Sequence, residues 1–122
     1  MQLIRSSLSI LTAAMLAACA TQPPEPPGRH LVVRDQAGKL LMQFDYPNDE
    51  MCARTAMAMR GSDMKAGCAQ ASSADALRGL ATLRYNPPGV MVEGHYQDLA
   101  ACRTMTRQLA GGVEMIQACS AK

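Results

Sequence analysis

The chain has no tryptophan, one phenylalanine and three tyrosines among its 122 residues. Its core must therefore be built from Met, Leu, Val and Ala side chains, and a domain of this size is marginally stable without further support. An excess of one charge is also lacking, because 12 Lys and Arg stand against 10 Asp and Glu. Nucleic-acid binding needs basic patches and aromatic stacking surfaces, so this composition argues against that class of partner.

Sequence motifs of common catalytic and metal sites are missing as well. The chain contains no Gly-rich phosphate loop, no G-x-S-x-G, no H-E-x-x-H and no acidic cluster suited to calcium. Structural zinc sites usually contain close cysteine pairs such as C-x-x-C, and none is present. We therefore expect a protein that is not an enzyme and that holds neither a metal nor a dissociable cofactor.

No apolar run is long enough to span a membrane. Residues 8–18 follow Arg5, are interrupted by Ser9 and Thr12, and fall short of the roughly 20 residues that a spanning helix needs. This length is typical of the apolar region of a secretory signal peptide. A Pro-rich segment follows immediately, which disfavours a helix buried in a folded core.

The end of this run, Leu16-Ala17-Ala18-Cys19, resembles the lipobox of bacterial lipoprotein signal peptides. The resemblance covers residues 1–19. It implies cleavage after Ala18, a diacylglycerol thioether on Cys19 and acylation of the new amino group. Ala20 stands where Asp retains such proteins at the inner membrane of Gram-negative cells, so the resemblance implies the periplasmic side of the outer membrane. The inner membrane, the cell surface and an ordinary secretory signal stay open as alternatives.

The next segment predicts a tether between this anchor and a folded domain. Residues 21–28 contain four prolines, and such a run favours extended polyproline II, which acts as a semi-rigid spacer. The chain is thus divided into a cleaved signal peptide (1–18), a lipidated cysteine with its tether (19–30), and one small domain.

The sequence of the domain has the pattern of an internal repeat, in which one unit occurs twice. A shift of 50 positions aligns five pairs of residues: Arg34 with Arg84, Tyr46 with Tyr96, Asn48 with Asp98, Cys52 with Cys102, and Gly61 with Gly111. Each half contains a turn followed by alternating apolar residues, which predicts a strand with one buried face. The sequence therefore predicts two halves, 31–70 and 81–122, joined by a connector at 71–80.

Each half also predicts a helix followed by a closing strand. Asn48 and Asp98 are good N-cap residues, and Gly61 and Gly111 are expected to end the two helices. The predicted fold is a small two-layer α+β domain made of a tandem ββαβ repeat. Its antiparallel sheet has both helices on one face.

The four cysteines of the domain are expected to form two disulfides within the repeats. From Cys52 to its helix end is about 12 Å, and the following strand returns about 13 Å to Cys68. Four cysteines allow three pairings, and the repeat favours Cys52 with Cys68 and Cys102 with Cys119. Each bond would close a loop of about 15 residues, which is worth roughly 3 kcal/mol in the chain-entropy model.

Only weak candidates for a surface site remain. Glu93 and His95 lie two residues apart on one strand face, and His95 is most simply a surface histidine. Arg103 and Arg107 lie one helical turn apart and suit anionic groups, although a solvated helix face is the simpler interpretation. A Cys102–His95 thiol pair is conceivable but lacks an orienting group and an oxyanion pocket.

These observations predict a non-enzymatic, lipid-anchored envelope protein with a structural or protein-interaction role. Its expected partners are the membrane, through the lipid on Cys19, and another envelope protein, which we expect to meet the uncovered sheet face around Leu41 and Met91. One alternative is a periplasmic ligand-binding or inhibitor module, for example against lysozyme, although the neutral charge balance counts against a basic target. The other alternative is a thiol-dependent enzyme or redox protein.

Overall fold

A computed structural model describes residues 28–122 of the chain. The predicted signal peptide, the lipobox-like sequence with Cys19 and most of the predicted tether lie outside the described residues. Within residues 28–122, no helix has the length and apolar character needed to cross a bilayer.

The described part is an α+β domain, as predicted, with six strands and two helices. A single 3-10 turn at Ala74–Ala76 lies in the predicted connector. The first strand begins at His30 and the fourth at Gly79, so both start slightly earlier than the predicted boundaries of 31 and 81. The elements are β1 (His30–Arg34), β2 (Leu40–Asp45), α1 (Asp49–Ala58), β3 (Lys65–Ala69), β4 (Gly79–Tyr85), β5 (Val90–Tyr96), α2 (Leu99–Met105) and β6 (Val113–Ala121).

All six strands form one antiparallel sheet in the order β3-β1-β2-β5-β4-β6. The two central strands, β2 and β5, pair from Met42 opposite Tyr96 to Asp45 opposite Glu93. The same succession of strand, strand, helix and strand lies on each side of this pairing. The sequence duplication itself stays a prediction.

The apolar core lies between one face of the sheet and the two helices. Strand residues alternate between the faces, which brings Leu31, Val33, Met42 and Val92 to this side, where each is buried. Cys52 of α1 and Cys102 of α2 are fully buried in the same cluster. Tyr46 and Tyr96 are buried there too, so the core is not built from Met, Leu, Val and Ala alone, contrary to the expectation from the sequence. Both helices therefore cover one face, and the other face carries a mixture of polar and apolar side chains, Met91 among them.

Each helix is joined by one disulfide to the strand that follows it. Cys52 is bonded to Cys68 and Cys102 to Cys119, with Cα atoms 6.1 and 5.9 Å apart. The predicted pairing is therefore confirmed. Each bond closes a short local loop, with sequence separations of 16 and 17 residues.

Both helices begin at the predicted N-caps. Asn48 Oδ1 accepts a hydrogen bond from the Met51 amide at 2.9 Å, and Asp98 Oδ1 accepts one from the Ala101 amide at 2.7 Å. These contacts satisfy amide groups that have no partner inside the first turn.

Asn48→Ala and Asp98→Ala should each lower the free energy of unfolding by about 1 kcal/mol, because each removes one side-chain cap. Urea unfolding followed by circular dichroism measures the loss. Asp49→Ala, which lies beside the first cap in the first turn of α1, is the matched control and should have a smaller effect. An equal loss in D49A and N48A would contradict the capping role.

The prediction that Gly111 ends the second helix was wrong. The helix α2 ends at Met105, and the left-handed glycine is Gly112, at φ 87°. A Cβ atom on Gly112 would lie 2.5 Å from the carbonyl oxygen of Asn86, whose amide donates to the Gly112 carbonyl. The glycine thus permits a close approach between the loop and the β4–β5 hairpin. In the first half, Gly61 adopts φ 89° just after the C-cap Met59, as expected.

Candidate functional site

The sheet face opposite the helices carries a group of polar side chains centred on Asp45. In the sheet register, Asp45 lies opposite His30 of β1 and opposite Glu93 of β5, and His95 lies opposite Gln43. Directly opposed residues point to the same face of an antiparallel sheet, so the register brings five side chains together. We call this group the Asp45 cluster: His30, Gln43, Asp45, Glu93 and His95.

Both carboxylate oxygens of Asp45 accept hydrogen bonds within the cluster. His30 Nδ1 donates to Oδ1 at 2.6 Å, and Gln43 Nε2 donates to the same oxygen at 2.7 Å. The other oxygen, Oδ2, accepts from His95 Nε2 at 2.9 Å. Burial raises the pKa of Asp45, but the hydrogen bonds from His95, His30 and Gln43 outweigh it, so the pKa lies well below its ordinary value. The carboxylate therefore stays ionised at neutral pH.

The C-terminal residue, Lys122, fixes the tautomer of His95. Its Nζ lies 3.0 Å from His95 Nδ1 and donates to the carbonyl oxygen of Ala74 at 2.9 Å. An ammonium group has donors only, so Nδ1 must act as the acceptor and the proton must lie on Nε2. We therefore assign the tautomer of His95 in which Nε2 donates to Asp45 and Nδ1 accepts from Lys122.

Gln43 ties the cluster to the connector between the halves. Its side chain is fully buried, its Oε1 accepts from the Ser73 amide at 2.7 Å, and its Nε2 donates to Ser72 Oγ at 2.9 Å. The connector thus lies across one end of the face that the sequence predicted to be uncovered.

The interpretation of His95 as a surface histidine was wrong, since the residue is 7% exposed. Its strand parity was predicted correctly, on the face that carries Met91 and Glu93. The connector and Lys122 cover the His95 side chain. Strand parity shows on which face of the sheet a residue lies, but not whether another segment covers that face. Of the two apolar residues expected on this face, Met91 is 45% exposed, whereas Leu41 is half-buried and packs against the core.

Glu93 is the exposed member of the Asp45 cluster. Its side chain is 60% exposed, and its Oε2 lies 3.7 Å from His95 Nε2. Together with Asp45 it lines a groove of about 480 Å³, whose other walls include Arg29, Thr82 and Met91. One ligand atom each from Asp45, Glu93 and His95 lies within 4.8 Å of the others, and carboxylate oxygens with an imidazole nitrogen are suited to a divalent metal ion.

The two arginine candidates lie elsewhere. Arg103 is in the last turn of α2 and Arg107 follows the helix; both are exposed. They line a separate groove beside Cys119 and Met115, on the helix side of the sheet. The structure therefore brings Glu93 and His95 together and places Arg103 and Arg107 apart from them.

The thiol pair of Cys102 and His95 that was conceivable from the sequence does not form. The sulfur of Cys102 is bonded to Cys119 and is buried among the core residues. His95 lies on the opposite face of the sheet. In the oxidised domain this sulfur is therefore not available as a nucleophilic thiolate.

Sequence reasoning missed four contributors to this site: His30, Gln43, Asp45 and Lys122. The alternation of apolar and polar residues along β2 was the one signal for these residues, because it places Gln43 and Asp45 on the sheet face opposite the apolar one. The pairing of β2 with β5, which joins the halves, has no local signature.

No protein-family model, no curated protein and no solved structure matches the chain.

Proposed function

We propose that this chain is a lipid-anchored protein of the bacterial cell envelope. Its domain would have a non-enzymatic binding or structural role on the periplasmic side of the outer membrane. The observation that carries the proposal is the pair of disulfides, Cys52–Cys68 and Cys102–Cys119. Disulfides form and persist in oxidising compartments and are rare where thiols are kept reduced. They therefore support export.

The fifth cysteine supports the anchor. The chain has five cysteines, and four of them are consumed by the two disulfides. An odd cysteine in an exported protein needs another fate. Lipidation at Cys19, within the lipobox-like Leu16-Ala17-Ala18-Cys19, supplies one. Several acyl chains give stable anchoring, whereas one short chain holds a protein only weakly.

The contacts of Gly28 and Arg29 suit a tether that joins the domain at this point. Gly28 is buried, and a Cβ atom there would lie 2.0 Å from the Ala69 carbonyl oxygen. The Arg29 guanidinium donates to the Tyr46 carbonyl oxygen at 3.1 Å. Gly28 and Arg29 are therefore packed against the domain directly after the Pro-rich sequence, where the proposed tether would join it.

Binding fits the Asp45 cluster better than acid–base catalysis does. The His95 ring is enclosed between Asp45 and Lys122, with contacts at both of its nitrogen atoms. A general base must present its nitrogen within hydrogen-bond reach of the substrate proton. The groove instead presents the carboxylate of Glu93, which favours a ligand-binding module as the second candidate function.

Palmitate labelling of the full chain in a Gram-negative host tests the anchor. The wild-type protein should incorporate labelled palmitate and fractionate with the outer membrane. Cys19→Ser should lose the label and leave that fraction, because no thioether can form. Ala20→Ser, which keeps the cysteine, is the matched control and should behave like the wild type. A wild-type protein without label, or unchanged fractionation of C19S, would overturn the proposal.

A further inference from the structure

We propose that Asp45, Glu93 and His95 bind a divalent transition-metal ion of the Zn²⁺ class, and that the Lys122 ammonium group competes with this ion for His95. The ligand atoms are Asp45 Oδ2, Glu93 Oε2 and His95 Nε2, on the sheet face opposite the helices. This site goes beyond the envelope role proposed above and does not depend on the lipid anchor.

The distances fit a small metal ion. Ligands that lie about 2.1 Å from a tetrahedral Zn²⁺ are about 3.4 Å from one another. His95 Nε2 lies 2.9 Å from Asp45 Oδ2 and 3.7 Å from Glu93 Oε2. These two separations bracket the required value, and the third pair, Asp45 and Glu93, has ligand atoms within 4.8 Å of each other. Glu93 is the exposed partner, so it is free to make the remaining adjustment.

The second oxygen of Asp45 is held by residues that would not contact the ion. Its Oδ1 accepts from His30 and from Gln43, and Gln43 is itself fixed to the connector through the Ser73 amide. Such outer contacts orient ligating carboxylates and are worth 10- to 100-fold in metal affinity in other proteins. His30 and Gln43 are therefore positioning residues that hold Oδ1 and leave Oδ2 to face His95.

The groove gives the ion a way in and a place for an exchangeable ligand. Asp45 and Glu93 both line this groove, which has a volume of about 480 Å³. Zinc sites with three protein ligands keep their fourth position for water or an incoming ligand. The two carboxylates together neutralise the charge of a divalent ion. The neutral imidazole supplies a third ligand and leaves this charge balance unchanged.

Lys122 opposes metal binding through the other nitrogen of the same ring. When Nε2 coordinates a metal, the proton of neutral imidazole lies on Nδ1, which then needs an acceptor. The Lys122 Nζ at 3.0 Å is a donor and carries a positive charge. Binding must therefore expel Lys122 from His95, so the position of Lys122 becomes coupled to occupancy of the site.

Metal titration of the full, untagged chain in detergent tests the proposal. The protein is stripped with a chelator under non-reducing conditions and titrated with Zn²⁺ by calorimetry and with Co²⁺ by visible absorption. One ion should bind per chain. Glu93→Gln and Asp45→Asn should each weaken binding at least tenfold, and His30→Gln about tenfold. The matched control is Glu114→Gln, which removes a half-exposed carboxylate paired with Arg84 and should leave the affinity unchanged.

The competing role of Lys122 has its own variant. Lys122→Gln removes the positive charge and offers an acceptor to Nδ1, so it should tighten Zn²⁺ binding about tenfold. Unchanged or weaker binding in K122Q would overturn the competition. No saturable binding by the wild-type chain, or equal binding in E93Q and E114Q, would overturn the site. Because Glu93 is exposed, a folding defect in other variants would not hide this outcome. The result is independent of palmitate labelling, so the site and the anchor fail separately.

Discussion

Removing both disulfides is expected to unfold the domain at room temperature. Each bond closes a loop of about 16 residues, and the chain-entropy model assigns about 3 kcal/mol to such a loop. A small domain has a total free energy of unfolding near the lower end of the usual range of about 5–15 kcal/mol. The loss of about 6 kcal/mol from both bonds therefore exceeds or equals the stability that is present. The four-fold alanine variant should lack a cooperative urea transition by circular dichroism.

The two single-pair variants serve as controls for this result. Cys52→Ala with Cys68→Ala, and Cys102→Ala with Cys119→Ala, should each lose about 3 kcal/mol and keep a cooperative transition. Alanine is the appropriate replacement because Cys52 and Cys102 are fully buried, where a serine hydroxyl would need a partner. A four-fold variant that unfolds with nearly the wild-type midpoint would show that the apolar core is sufficient alone.

The second large effect is expected at Gly79, the first residue of β4. A Cβ atom built there lies 2.5 Å from the Asp98 carbonyl oxygen and 3.3 Å from the Cys102 Cβ. The backbone of the α2 N-cap would have to move, and with it the helix that carries the second disulfide. Gly79→Ala should therefore lower the free energy of unfolding by about 3 kcal/mol, the upper part of the range for overpacking. Urea unfolding measures the change.

Gly67→Ala is the matched control for that substitution. Gly67 lies in the edge strand β3, and a Cβ atom there would have no neighbour within 4 Å. Alanine should be neutral or stabilise the domain by about 0.5–1 kcal/mol, because glycine loses more backbone entropy on folding. Equal losses in G79A and G67A would show that strand propensity, and not the contact with α2, sets the effect.

Local signals in the sequence predicted most of the fold. The alternation of Leu40, Met42 and Phe44 gave β2 and its buried face, and Asn48 and Asp98 gave both helix starts. The cysteine pairing followed from the rise per residue of a helix and of a strand, since both are fixed by backbone geometry. Gly111 misled because α2 ends at Met105, well before this glycine, and the neighbouring Gly112 makes the close backbone approach to Asn86.

The candidate site depends on long-range pairing, which is why the sequence gave only part of it. Glu93 and His95 were visible as neighbours on one strand. Asp45 reaches them only because β2 pairs with β5 across the two halves. Lys122 reaches His95 from a position 27 residues away in the chain. Neither contact follows from periodicity or composition, so the enclosure of His95 was not predictable.

The two faces of the sheet would then have separate roles. The helix face contains the apolar core and both disulfides, and it accounts for stability. The opposite face contains the Asp45 cluster and its groove, which would bind the ligand. Substitution of Glu93, the exposed member of the Asp45 cluster, should therefore change binding with little effect on unfolding. A loss of binding in such a variant can therefore be attributed to the lost ligand and not to unfolding.

Intact-mass analysis of the full protein purified from envelopes tests the central claim most directly. Export with anchoring and oxidation predicts a chain that begins at Cys19, carries acyl chains, and has no free thiol under non-reducing conditions. Reduction should then raise the mass by four hydrogen atoms, two for each disulfide. A chain that still begins at Met1, carries no lipid and has free thiols at its cysteines would contradict the account.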